Sequence, residues 1–393
     1  MGRRGDICGV DIDRHFFTHL LWEPDFARNK VLLLVGARRV GKTTGLRRFA
    51  EAFVGGRRDE LLWLNGEDQN THTLLAPRTA ADYRRLLEGR RLFVLDEGQA
   101  VPEVGAVLKL MHDEVPGVWI IVTGSNAIGL LDSVGGPLVG RAVIRELYPV
   151  AQLELAHHED ALQTIENRKD RLVYGSYPEL FQLSSAKQRR DYLLDLVRGV
   201  LLRDVLELAQ VRRPEVLRRL LVLLAWQVCN EVSVHELAQN LDVDAKTVSR
   251  YLELIEQAFI VFSLNGYQGN NQWKEIKKSR KFYFADNGIR NAVINRFEPY
   301  DEREGGERGR LWENYLATER RKRNGYLDPH RSHYFWRVTD SQQEIDWVEE
   351  VGGRLYGYEF KLAARKTKPP SAWYPEAEFE VITPENYLPF IGG

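Results

Sequence analysis

The chain has 393 residues with 55 basic against 56 acidic side chains, a formal net charge of −1. No global field therefore draws it to nucleic acid or to an acidic membrane surface, and any such binding has to come from local patches. Its length exceeds what a single hydrophobic core usually supports, so two or three domains are expected. Cys8 and Cys229, the two cysteines, have neither metal-site spacing nor the pattern of a disulfide framework. No apolar run approaches the about 20 residues that cross a bilayer, so no membrane association is expected. The opening MGRRGDICGVDIDRHF is charged and lacks the apolar stretch of a secretory signal, which makes the cytoplasm the expected compartment.

In chain order, the first third alternates short apolar runs with helical stretches, the pattern of a parallel sheet with crossover helices. Val31 to Val35, Leu61 to Leu64, Leu92 to Leu95 and Trp119 to Val122 each read as a strand buried on both faces. From about Ala151 to Asn230 the apolar spacing turns helical, as in DYLLDLVRGVLLRDVLELA and PEVLRRLLVLLAWQV. EVSVHELAQNLDVDAKTVSRYLELIEQAFIVFSL then reads as a short helix, a turn, a second helix from about Asp244 and a strand, the order of a winged helix-turn-helix. A polar loop, GYQGNNQWKEIKKSRK, precedes a strand at Phe282 to Phe284. The acidic, glycine-rich YDEREGGERGR reads as a break. A helix from Leu311 to Arg323 and strands at His333 to Arg337, Glu344 to Glu349 and Arg354 to Lys361 complete the chain.

Gly36-Ala37-Arg38-Arg39-Val40-Gly41-Lys42-Thr43 fits the G-x-x-x-x-G-K-[ST] phosphate-binding loop, between a strand and a helix as that motif requires. Such a loop, extended to Thr44, wraps ATP phosphates with backbone N–H groups. Lys42 reaches the β and γ oxygens and Thr43 ligates Mg²⁺. Leu92-Phe-Val-Leu-Asp96-Glu97 delivers two carboxylates to the carboxyl edge of the sheet. Asp96 is expected to hold the magnesium shell and Glu97 to orient or deprotonate the attacking water. Ser125 or Asn126, after the next strand, stands near the expected γ-phosphate, with helix capping the competing role. Arg141 is a candidate for neutralising transition-state charge from a neighbouring subunit, with an ordinary surface arginine as the alternative.

GARRVGKTT, LFVLDEGQAVPEV, IIVTGSNAIGLL, LVGRAVIRELYPV and YGSYPEL together resemble a prokaryotic group of AAA-type ATPases of largely unassigned function, with similarity extending through the helix-turn-helix to WENYLATE and beyond. The resemblance implies an ATPase core in which Ser125 or Asn126 takes the sensor position and Arg141 the finger position, which in turn implies a homo-oligomer such as a ring. The sequence departs from the pattern at Gly98, where a bulkier apolar residue is expected. The glycine leaves the carboxylates in place and is expected to loosen their turn.

Two further regions carry candidate chemistry. The second helix of the helix-turn-helix offers Lys246 and Arg250 to a DNA groove, diluted by Asp244, Glu253 and Glu256. The loop and strand that follow offer Tyr267, Trp273, Lys274, Lys277, Lys278, Arg280 and Lys281 for phosphate contact and stacking, against a solvated basic loop as the alternative. In the C-terminal part Glu313, Asp346, Glu359 and Lys361 fall where alternation along strands turns Glu359 and Lys361 to one side, and Glu344 shares the side of Asp346. Three carboxylates and a lysine suit a magnesium site for phosphodiester cleavage, and the set resembles the PD-(D/E)xK nuclease fold. Retention of that fold for binding alone is the competing reading. The expected architecture is thus α/β: an AAA-type P-loop core over residues 1–150, a helical connector with winged helix over 151–295, and a restriction-endonuclease-like domain over 296–393. The expected function is Mg²⁺-dependent ATP hydrolysis coupled to binding or remodelling DNA, with a nucleotide-dependent switch acting on protein partners as the alternative.

Overall fold

The computed structural model describes residues 12–22, 29–76, 79–125, 136–201, 205, 213–267, 269, 280–338, 343–363 and 368–392. Within them the chain separates into two compact units, residues 13–149 and residue 12 together with 150–392.

The first unit is built on a parallel sheet of β1 (Val31–Val35), β2 (Leu61–Asn65), β3 (Leu92–Asp96), β4 (Trp119–Gly124) and β5 (Ala142–Glu146) in the order β2-β3-β4-β1-β5. The three inner strands are buried along their whole length, which is why their sequences are unbroken apolar runs. Each fully buried leucine or valine there contributes about 1.5–3 kcal/mol. β2, expected to be buried on both faces, lies at an edge and is only half-buried. β5 is an additional strand at the other edge; its AVIRE sequence mixes apolar and charged residues as a half-exposed edge permits. Helix α1 (Lys42–Phe53) follows β1, and α2 (Val104–Glu114) leads to β4.

The parallel register sets up the site. Val35 aligns with Gly124 and with Glu146, and Asn65 aligns with Asp96. The loop after Val35, the acids ending β3 and Ser125 after β4 therefore emerge at one edge of the sheet. Val31 aligns with Ala142, so Arg141 lies at the opposite edge.

The second unit contains a continuous seven-stranded sheet in the order β12-β11-β10-β9-β7-β8-β6. Its strands are β6 (Glu231–Val232), β7 (Val261–Gly266), β8 (Arg280–Phe284), β9 (Ser332–Val338), β10 (Gln343–Val351), β11 (Arg354–Phe360) and β12 (Glu378–Ile382). β6, β8 and β7 pair antiparallel, and β7 joins β9 in parallel through Asn265 opposite Tyr334 and Gly266 opposite Phe335. The segments 151–295 and 296–393 thus share one sheet. Helices α3 (Ala161–Tyr174), α4 (Pro214–Trp226), α5 (Val234–Leu241), α6 (Ala245–Gln257), α7 (Asn287–Val293) and α8 (Gly305–Leu327) accompany it. Asp244 caps α6 by accepting from the Thr247 N–H at 2.8 Å, which fixes the helix start where the sequence puts it.

α8 begins at Gly305, inside the stretch read as a break. Buried Glu307 in its first turn is ion-paired to Arg290, Arg296 and Arg303, and these tertiary bonds outweigh the poor helix propensity of Gly305, Gly306 and Gly309. Further along, the Asn314 side chain accepts from the Phe284 N–H at 2.8 Å and donates to the Phe284 carbonyl at 3.0 Å, extending the β8 ladder into the helix. No helix among the described residues is long and apolar enough to cross a membrane.

Candidate functional site

The loop from Gly36 to Thr43 is shaped for an anion. Gly36 and Gly41 take positive φ, as does Arg39 at φ 63°, a conformation a non-glycine residue holds only when its surroundings impose it. Ala37 and Val40 are buried and anchor the loop from inside. Gly41 precedes α1 and has no side chain with which to cap the helix, so its first-turn N–H groups face the loop. Lys42, itself buried, donates from Nζ to the carbonyls of Gly36 at 2.7 Å and Ala37 at 3.0 Å. Arg38 lies 3.7 Å from Glu67, and Thr44 is exposed on α1. A residue outside every motif also holds the loop: buried Arg14 donates to the Val40 carbonyl and to the Tyr148 carbonyl, each at 2.6 Å. Lying more than twenty residues upstream in an ordinary charged stretch, Arg14 gives no motif signal.

The acids meet this loop directly. Thr43 Oγ1 donates to Asp96, at 2.9 Å from Oδ2 and 3.1 Å from Oδ1, and Thr123 Oγ1 donates to Asp96 Oδ1 at 2.5 Å. Glu97 has left-handed backbone, φ 51° and ψ 48°, which turns its side chain out of the strand line. Its N–H donates to Thr123 Oγ1 at 3.0 Å, and its Oε2 accepts from Ser125 Oγ at 2.9 Å, the Ser125 N–H at 3.3 Å and Gln99 Nε2 at 2.6 Å. Burial alone would raise the Glu97 carboxyl, but the Gln99 hydrogen bond, the Lys42 charge, Ser125 and Arg38 together hold it below its ordinary value.

Two glycines make room for this turn. A Cβ on Gly66 would stand 2.3 Å from the Glu97 carbonyl oxygen, and one on Gly98 would stand 2.3 Å from Val122 Cγ1. Gly98 is therefore buried against β4 with no space for the apolar side chain expected there. Val122 fills that space, so the glycine packs the carboxylate turn closely instead of loosening it.

These residues fit a magnesium nucleotide. A hydroxyl and a carboxylate in mutual contact, an uncapped helix start and a lysine folded onto the loop it would leave to meet phosphate are the donor set such a ligand takes. Ser125 joins the site through Glu97, whereas Asn126 falls outside the described residues. Arg141 stands apart at the opposite sheet edge, where its Nε lies 2.7 Å from Asp113 Oδ1. Hydrogen bonds from Arg141 and His112 draw the Asp113 carboxyl down to about 2.

The residues offered to DNA divide. Lys246 and Arg250 are exposed on α6. Tyr267 packs edge-on against Tyr334 and Tyr374. Trp273, Lys274, Lys277 and Lys278 fall outside the described residues. Arg280 is paired to Glu256 at 3.0 Å. Lys281, expected on an open basic loop, is only 2% exposed and points inward, because β8 alternation turns it into the sheet interior where acids await it.

Those acids are the candidates for a nuclease centre. Lys281 Nζ contacts Glu344, with Glu313 Oε1 at 3.5 Å and Asp346 Oδ1 at 3.6 Å. Tyr283 donates to Glu313 at 3.0 Å, and Asp346 Oδ2 accepts from the Phe360 N–H at 2.8 Å. Glu359 Oε1 accepts from Lys361 at 2.5 Å. Burial, reinforced by the Asp346 charge, pushes Glu313 up to about 8 and Glu359 up to about 7. Among the described residues no three acids, cysteines or histidines are arranged to hold a metal ion. Glu313, Asp346, Glu359 and Lys361 do lie in one neighbourhood, yet they do not fit magnesium in this arrangement, since an ammonium group stands among the carboxylates.

Comparison with known proteins finds an AAA-domain match over most of the first unit. Residues 28–156 match the family model described as an AAA domain. Residues 165–300 and 308–373 match two models described as domains of unknown function, DUF8612 and DUF4143. An uncharacterised protein of Mycobacterium tuberculosis is 29% identical over 342 residues, covering 85% of this chain and 70% of that protein. One of Methanocaldococcus jannaschii is 24% identical over 338 residues, covering 81% of this chain and 72% of that protein. Among solved structures the chain is similar to AMPPCP-bound DnaA from Aquifex aeolicus at TM-score 0.31 and 18% identity, covering 57% of this chain and 81% of that one. It is also similar to Cdc6p from Pyrobaculum aerophilum at TM-score 0.27 and 14% identity, covering 67% and 86%. The parallel sheet, the loop geometry and the match to an AAA domain over residues 28–156 together support a P-loop ATPase core in the first unit.

Proposed function

We propose that the chain binds ATP with magnesium through residues 36–44, hydrolyses it with Asp96 and Glu97, and couples that hydrolysis to action on DNA by its second unit. The observation that carries the reading is the contact of the Thr43 hydroxyl with the Asp96 carboxylate, with Glu97 one residue further along the same sheet edge. Thr43 and Asp96 would hold magnesium, which when bound supplies positive charge to the phosphate oxygens. The N-terminus of α1 and Lys42 bind the phosphates once Lys42 exchanges the Gly36 and Ala37 carbonyls for phosphate oxygens. Glu97, kept anionic by Gln99 and Lys42, is a strong acceptor and a weak base. It therefore orients the attacking water more than it removes its proton. Arg141 lies at the sheet edge away from its own loop and would reach a γ-phosphate only from a neighbouring copy, which supports a homo-oligomer, with a ring as one closed arrangement.

The DNA reading is supported by the order β6, α5, α6, β7, β8, which is that of a winged helix, and by exposed Lys246 and Arg250 on α6. A switch acting on protein partners is favoured by one specific observation: Arg280 and Lys281 are engaged by internal acids. The two readings part on salt. Binding of labelled duplex DNA is expected to weaken steeply as salt rises and to fall in Lys246→Ala/Arg250→Ala, and ATP hydrolysis is expected to rise with DNA. Hydrolysis that ignores single-stranded, duplex and branched DNA alike would move the assignment to protein partners. No cleavage step is assigned to the carboxylate cluster.

A further inference from the structure

The C-terminal carboxylates converge on a point that is already filled. Lys281 leaves β8, passes over the Phe335 ring of β9 at 5.5 Å, and ends with its ammonium group among Glu313 of α8 and Glu344 and Asp346 of β10. A buried ammonium needs such partners, because three donors and a full charge have been taken out of water. The acids need it equally, since Glu313, Glu344 and Asp346 are only 17%, 28% and 11% exposed. The ammonium group touches Glu344, and Glu313 and Asp346 oxygens stand 3.5 and 3.6 Å from Nζ.

We propose that Lys281 is the resident cation of this cluster and closes it to metal. Glu344 is held a second time from its outer side by Arg337, whose Nε lies 3.9 Å away, and Arg337 in turn reaches Glu231 of β6 at 2.9 Å. The lysine therefore belongs to a chain of charges that ties β6, β8 and β10 together. It comes from the segment before α8 and the acids from α8 and after it, so one lysine both offsets part of the cluster's negative charge and joins two stretches of the shared sheet. The assignment is independent of the ATPase reading.

The test is Mn²⁺ binding, read by loss of the free-ion electron paramagnetic resonance signal, in nucleotide-free full-length chain carrying Thr43→Ala to weaken the first site. Chain with Lys281 is expected to bind no Mn²⁺ that depends on Asp346, so adding Asp346→Asn changes nothing. Lys281→Met is expected to gain a Mn²⁺ ion, and Asp346→Asn added to it is expected to abolish that gain. Plasmid nicking in Mn²⁺ by the Lys281 chain is expected to be absent. The proposal is overturned by Asp346-dependent Mn²⁺ binding or nicking with Lys281 in place. It is equally overturned by a Lys281→Met chain that keeps its circular dichroism and gains no ion. If Lys281→Met does not fold, the Asp346 comparison in the Lys281 chain decides alone.

Discussion

Thr123 serves both acids of the candidate site at once, donating to Asp96 Oδ1 at 2.5 Å and accepting the Glu97 N–H at 3.0 Å. Replacing it by valine keeps the shape and leaves a buried carboxylate short of a donor and an N–H short of an acceptor, a cost of about 1–3 kcal/mol at the site. Thr123→Val is therefore expected to lower kcat for ATP hydrolysis by about tenfold or more with little change in KM, and Thr123→Ser to restore it. An equal loss in the serine variant would make Thr123 a packing residue only. Glu97 has its own signature in pH. Its carboxyl is held below the ordinary 4.5, so the anion proposed to orient water is present above that value and is lost only as pH falls through the depressed one. Hydrolysis by folded protein is expected to stay flat down to about pH 5 on the acid side; an inflection near neutrality would place the essential group elsewhere.

At the scale of elements, Glu349 shows how the second unit is pinned. From β10 it accepts two bonds from Arg320 of α8, both at 2.7 Å, and one each from Arg331 at 2.7 Å, Asn324 at 2.7 Å and Trp347 at 2.9 Å. Burial alone would raise this carboxyl, but Arg320, Trp347 and Arg331 bring it down to about 2 from 4.5. That depression corresponds to about 3 kcal/mol of stability, present in full above the unfolded value and lost as pH falls through the folded one. The difference in denaturant stability between wild type and Glu349→Gln is expected to be largest above about pH 5 and to shrink steadily toward pH 2. A difference that does not vary with pH would assign the loss to packing. Elements of this kind were unevenly legible from sequence. The inner strands β1, β3 and β4 and the start of α6 announce themselves through unbroken apolar runs and a capping Asp244. The edge strand β5 and the first turn of α8 do not, because β5 alternates with charge and Gly305 becomes helical only once Glu307 meets Arg290, Arg296 and Arg303. At the site, two short motifs give Lys42 and Thr43, and Asp96 and Glu97. Arg14, Gly66 and Gln99 act through contacts that carry no motif, and the inward turn of Lys281 depends on strand register within a run of otherwise basic residues.

For the whole molecule, the proposed trans role of Arg141 would link assembly to catalysis. Its pairing with Asp113 fixes it at the edge opposite the phosphate loop, so Arg141→Ala is expected to lower ATP hydrolysis while leaving nucleotide affinity unchanged, and mixing it with Glu97→Gln is expected to restore part of the activity wherever the two defects fall in different sites. Mixtures that show only the sum of two inactive proteins would remove the trans role and the oligomer it implies. Asp96 and Glu97 are proposed to complete the loop from Gly36 to Thr44 into a hydrolytic site. Steady-state phosphate release from ATP and magnesium, wild type beside Glu97→Gln, with binding of a fluorescent ATP analogue followed in parallel, tests this most directly. The predicted result is a loss of turnover of about a hundredfold or more in Glu97→Gln with nucleotide binding retained. Turnover in Glu97→Gln equal to that of wild type would contradict the account.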